Sequence, residues 1–182
     1  MKEPQFFALE EETIKKYISW YFDLFKDDTK KSVLIDASTF YLSSERACLN
    51  IRKYIKNPRF VVIIRDPVKR AFSGHLHMKK KIPAYDKRTF EDIVKTVRKR
   101  FEDNAENLPE VENAFLKESL KDGSVQPYLD RHYLKNQYDA PFDSSFEDPR
   151  WLFKYFAESQ YHRNIERLIS IFGEHSGKSD FI

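Results

Sequence analysis

Apolar residues at Ile14, Tyr17, Ile18, Tyr21, Leu24 and Phe25 recur at helical spacing and predict an amphipathic helix over residues 10–25. The pattern then changes. Val33-Leu34-Ile35 and Phe60-Val61-Val62-Ile63-Ile64 are unbroken apolar runs, which predict short strands, the second buried on both faces. Between them, Ser43 or Ser44 can cap a helix with Ala47, Ile51, Tyr54 and Ile55 inside, and Asn57-Pro58 ends it. Another helix is expected from Pro67 to near Lys79. Thr89 opens the next, with Asp92 as a capping-box variant and Phe90, Ile93, Val94, Val97 and Phe101 on the core face. Residues 102–149 are polar and mixed, with a short helix expected near 111–120. Leu152, Tyr155, Phe156, Ile165, Leu168, Ile169 and Phe172 predict a final helix over residues 150–172, stopped by Gly173.

Two strands separated by a helix imply a right-handed crossover in a parallel sheet. The expected fold class is therefore α/β, a parallel sheet flanked by helices. Two strands do not complete such a sheet. Either the fold is mostly helical around a small sheet, or the chain lacks strands.

Composition narrows the function classes. The 182 residues suffice for one domain with a core, and only four glycines occur, so no Gly-rich linker divides the chain. Its 32 basic and 29 acidic side chains nearly cancel to +3, which argues against a polybasic nucleic-acid binder. Hydrophobic content of 41% with 15% aromatic is that of a globular chain. Cys48 stands alone, so an intramolecular disulfide and Cys-based zinc sites are excluded. His75 and His77 sit two apart on different faces of one helix, and no metal is assigned. No apolar run is long enough to span a bilayer and no signal peptide opens the chain, so a cytoplasmic protein is expected.

The chemistry concentrates where the second apolar run stops. Asp66 can cap a new helix, and Pro67 suits its first turn because its missing N–H would be unpaired there. A positive helix start beside the permanently charged fork of Arg65 is a ready anion site. Ser73, about two turns on, adds a hydroxyl donor. The plainer alternative is an ordinary turn with a structural arginine.

The string Arg65-Asp66-Pro67-Val68-x-Arg70-Ala71-x-Ser73 resembles the 3′-phosphate-binding motif of PAPS-dependent sulfotransferases, in their carbohydrate and bacterial branch. PAPS is 3′-phosphoadenosine 5′-phosphosulfate. The resemblance implies a P-loop kinase-like fold, PAPS as co-substrate, and Arg65 and Ser73 as grips on the 3′-phosphate. Lys2-Glu3-Pro4-Gln5-Phe6-Phe7 resembles the family's Lys-Glu-x-His-Phe-Phe segment, which makes Glu3 the general base and puts Gln5 where the family has His. Asp36-Ala37-Ser38-Thr39-Phe40-Tyr41 resembles the Glu-x-(Ser/Thr)-Pro-x-Tyr segment, with Asp for Glu and Thr39 for Pro. Ser159-x-Tyr161 resembles the start of the late helix beside the nucleotide, which makes Tyr161 a nucleotide contact. Without the family, Glu3 is a terminal charge, Asp36 a turn cap and Tyr161 core.

The resemblance implies transfer of a sulfuryl group from PAPS to an acceptor hydroxyl, a sugar in this branch. The family's Lys-x-Gly-Thr loop for the 5′-phosphosulfate has no counterpart before Lys2. Residues 1–182 are therefore expected to be a single partial sulfotransferase domain, truncated at both ends, with negligible transfer on its own and a tendency to self-associate. With a targeting segment upstream, the compartment would be the Golgi lumen. Two other functions stay open: a degenerate, non-catalytic module that binds a 3′-phosphorylated nucleotide or a partner, and a P-loop kinase-like enzyme. Gly173-Glu174-His175-Ser176-Gly177-Lys178-Ser179 imitates a Walker A loop, but has three residues between its glycines where the motif needs four, and it is read as a polar turn.

Overall fold

A computed structural model describes residues 3–26, 33–81, 86–104, 108–126, 132–144 and 154–173. Seven helices follow one another in these segments: α1 (Glu11–Asp23), α2 (Glu45–Tyr54), α3 (Pro67–Lys81), α4 (Phe90–Asn104), α5 (Leu108–Lys121), α6 (Tyr133–Tyr138) and α7 (Tyr161–Phe172). Their starts follow local chemistry. Ser44 Oγ accepts from the Ala47 N–H at 3.1 Å, Asp66 Oδ1 from the Lys69 N–H at 2.8 Å, and Thr89 Oγ1 from the Asp92 N–H at 3.1 Å. The imitation Walker loop lies outside the described residues beyond Gly173.

The chain divides into two compact units. The first comprises Met1–Val62, Asp130–Glu147 and Arg163–Ile182. Its core holds Phe6, Phe7, Leu9, Ile14, Tyr21, Phe40, Ile51, Leu134 and Phe142. Aromatic rings dominate there: Phe6 stacks on Tyr21 with centroids 4.8 Å apart, and Tyr17 on Phe142 at 4.2 Å. A smaller cluster joins Cys48, Leu168 and Ile171, with Phe60, Val62 and Phe172 against it.

The second unit comprises Ile63–Leu129 and Asp148–His162. Its core gathers Ala71 and Met78 of α3, Ile93 and Val97 of α4, Val111 and Leu116 of α5, and Val125 with Tyr155. Asp86, fully buried, accepts from Arg88 Nε and from the Tyr155 hydroxyl, each at 2.8 Å.

The expected α/β fold, with a P-loop kinase-like parallel sheet, is corrected by this structure. Helices carry it, and no sheet forms among the described residues. Extended pairing includes an isolated antiparallel bridge between Asp86 and Val125. Among the described residues, neither apolar run forms a strand. In the second, Phe60 and Val62 turn inward, with the Phe60 ring 4.6 Å from that of Phe172. Val61 and Ile63, on the alternate face, are 85% and 89% exposed. An apolar run favours extended backbone, but a strand exists only where another supplies its hydrogen bonds. The expected final helix is also corrected. Residues 154–160 form turns, including one 3₁₀ turn at Ala157–Ser159, and the helix begins only at Tyr161.

Candidate functional site

The segment holding Glu3 is built into the first unit. Glu3 and Gln5 both have left-handed backbones, φ 61° and 54°, a conformation that costs a side-chain-bearing residue about 1 kcal/mol or more. Surrounding contacts hold it. The buried Phe6 and Phe7 anchor the 3₁₀ turn that follows, and Asn50 Nδ2 donates to the carbonyls of Phe7 and Leu9 at 2.9 and 3.2 Å. The Gln5 N–H donates to Ser38 Oγ at 2.8 Å, and the Tyr133 hydroxyl to the Glu3 carbonyl at 3.0 Å. Glu3 therefore sits at the rim of a packed element, half-buried, and no ion pair takes up its carboxylate among the described residues.

Behind this segment, Asp36 collects donors. Its Oδ1 accepts from the Ser38 N–H at 2.9 Å and the Ser38 hydroxyl at 2.6 Å. Its Oδ2 accepts from the hydroxyls of Tyr21 and Tyr41, at 2.8 and 2.9 Å. Burial first, then the Asp36 charge, pushes both phenols well above their ordinary pKa, so they stay neutral donors. Burial, followed by the negative charges of Asp36 and Glu3, raises Tyr138 as well. Gln5 Oε1 is buried without a hydrogen-bond partner among the described residues.

The remaining sequence-predicted residues lie in the second unit. Asp66 caps α3 as expected, and its carbonyl accepts the Arg70 N–H at 2.9 Å. Arg65 is exposed, with Nη2 folded onto the carbonyls of Lys69 and Arg70 at 3.1 and 3.4 Å. Ser73 is exposed two turns into α3, and Tyr161 is half-buried at the first position of α7. Arg70 points elsewhere: it donates to the Tyr155 carbonyl at 3.2 Å and to Glu158 at 3.4 Å, tying residues 155–158 to α3. One arginine of the motif is thus turned to solvent and the other is structural.

Glu3 therefore belongs to one unit and Arg65, Ser73 and Tyr161 to the other. Sequence reasoning placed Tyr21 in a helix core, and Tyr133 and Tyr138 in a stretch suited to a binding surface, without joining them to Asp36 or Glu3. Only the Tyr41 in the Asp36 segment carried a signal, through its spacing. Among the described residues, no group of three or more His, Cys, Asp or Glu side chains could hold a metal. None of the described helices is long and apolar enough to cross a membrane.

Two curated proteins give this arrangement a context. The chain is 30% identical over 91 residues to heparan sulfate glucosamine 3-O-sulfotransferase 3B1 of Mus musculus, covering 48% of the chain and 23% of that protein. It is 29% identical over 91 residues to heparan sulfate glucosamine 3-O-sulfotransferase 3A1 of the same organism, covering 48% of the chain and 22% of the relative. The match spans less than a quarter of either relative's length. No family model matches. No solved structure matches either. The chain thus has a partial, distant resemblance to the heparan sulfate 3-O-sulfotransferases.

Proposed function

We propose that this chain is a sulfotransferase-type domain over residues 1–182, which uses PAPS to sulfate a sugar hydroxyl. Arg65 and Ser73 hold the nucleotide 3′-phosphate at the start of α3, and Tyr161 lies against the nucleotide. The observation that carries the reading is the exposed Arg65 fork at an Asp66-capped helix start. A charged planar donor and a hydroxyl are groups that a phosphate can use. The resemblance to the 3-O-sulfotransferases supports the same donor and a glycan acceptor.

Glu3 is the base. Its carboxylate takes the proton from the acceptor hydroxyl as the oxygen forms a bond to sulfur. The S–O bond to the nucleotide breaks in line, and adenosine 3′,5′-bisphosphate leaves with the electron pair. The Tyr133 hydroxyl donates to the Glu3 carbonyl and holds the backbone at this position.

Transfer of labelled sulfate from PAPS to heparan sulfate, by the chain joined to a Lys-x-Gly-Thr loop segment and with the Glu3→Gln variant beside that joined parent, tests the proposal. Transfer that disappears in the variant while bisphosphate binding stays unchanged supports it. Nucleotide binding without transfer points to a non-catalytic binding module. Absence of both overturns the reading.

A further inference from the structure

Residues 155–159, in the second unit, are held from several sides. Arg70 of α3 donates to the Tyr155 carbonyl at 3.2 Å and to Glu158 at 3.4 Å, where the Glu158 side chain is 13% exposed. Glu112 of α5, itself buried, accepts the Phe156 and Ala157 N–H groups at 3.0 and 2.7 Å. The Tyr155 hydroxyl donates to the buried Asp86, which Arg88 also holds. Taking charge out of water gains little net stability over apolar packing of the same volume, so what these tethers contribute is geometry.

Arg70 joins this turn to the helix that carries the phosphate grips. The Arg65 fork rests on the Lys69 and Arg70 carbonyls, and Ser73 lies one turn beyond Arg70. From Glu158 three residues lead to Tyr161, a reach of at most about 11 Å. The Gln160 N–H donates to the Ala157 carbonyl at 3.2 Å and shortens that reach. Holding Glu158 therefore holds the place where α7 begins, at Tyr161.

We propose that Arg70 is a positioning residue for the nucleotide: by holding the turn at 155–158, its side chain sets Tyr161 against the ligand whose 3′-phosphate Arg65 and Ser73 grip.

The inference rests on the nucleotide reading above. Arg70 acts through Tyr161, because its own guanidinium is committed to the turn. Arg70→Ala keeps the backbone carbonyl beneath the Arg65 fork. The variant thus cuts the tie to the turn and spares the phosphate grip.

A double-mutant cycle on the whole chain reads this coupling. Calorimetry of adenosine 3′,5′-bisphosphate is run on the parent, Arg70→Ala, Tyr161→Ala and the double variant. Each single change should weaken binding about tenfold, and the double variant should also stay near about tenfold, because a displaced Tyr161 has little left to lose. A merely structural Arg70 would lower the folded fraction in both backgrounds alike, so its effect would multiply with that of Tyr161→Ala. Adenosine 5′-monophosphate serves as the control. If the parent prefers the bisphosphate, multiplying effects or an Arg70→Ala variant that binds like the parent overturn this inference and leave the nucleotide reading standing. No preference in the parent overturns both. Should Arg70→Ala not fold, hydrogen exchange in the parent decides. The bisphosphate should slow exchange at the Glu158, Ser159 and Gln160 amides, which close the turn onto the Lys154, Phe156 and Ala157 carbonyls, since ligand and turn then stabilise each other. Unchanged rates in the bound chain overturn the proposal.

Discussion

Replacing Asp36 by Asn tests the hub beneath Glu3 at nearly constant volume. Asn keeps one carbonyl oxygen, which can still take the Ser38 N–H and hydroxyl, bonds of 2.9 and 2.6 Å in the parent. It presents an NH₂ where Oδ2 accepted the Tyr21 and Tyr41 hydroxyls at 2.8 and 2.9 Å. Two hydrogen bonds to a charged acceptor are lost, each worth about 1.5–3 kcal/mol, so the ceiling is about 6 kcal/mol. Two effects lower it. Asp36 is half-buried, and each phenol can turn to accept from the new NH₂. The expected loss is therefore about 3 kcal/mol. Tyr21→Phe keeps the ring stacked on Phe6 and deletes a single bond, so about 1 kcal/mol is expected. Urea unfolding of parent and variants, followed by far-UV circular dichroism, measures both. An Asp36→Asn variant within 0.5 kcal/mol of the parent, a margin about the size of ordinary surface effects, would refute the hub.

Arg70→Ala leaves the Tyr155 carbonyl and Glu158 without this partner and should cost about 2 kcal/mol in the same unfolding assay; an unchanged midpoint would make the contact incidental. The bare face of the second apolar run should drive self-association, so Ile63→Lys should reduce the apparent mass in light scattering. A parent already monodisperse as a monomer would contradict that.

Helix starts were legible because a cap is local. Ser44, Asp66 and Thr89 each satisfy an N–H within three residues, and the sequence places donor and acceptor side by side. The sheet was misread because pairing is not local. The run at 60–64 encodes an inward Phe60 and Val62, but nothing in it names a partner strand. The last helix was read too long because Tyr155 and Leu168 share an apolar stripe on paper while serving the cores of different units. At the candidate site, the motif marked Arg65 and Arg70 alike. Their division into a solvent-facing fork and a structural tie depends on Tyr155 and Glu158, 85 and 88 residues away from Arg70. The Asp36 hub was half legible: its turn role followed from the sequence, its tyrosines did not.

The central claim is that Arg65 makes the start of α3 a 3′-phosphate site. Calorimetry of adenosine 3′,5′-bisphosphate against adenosine 5′-monophosphate tests it most directly, because the two differ only in that phosphate. The account predicts a clear preference for the bisphosphate. Arg65→Ala should erase about 1.5–3 kcal/mol of it, roughly a 10- to 150-fold loss of affinity, with monophosphate binding unchanged. Equal affinity for the two nucleotides, or a bisphosphate affinity indifferent to Arg65→Ala, would contradict it.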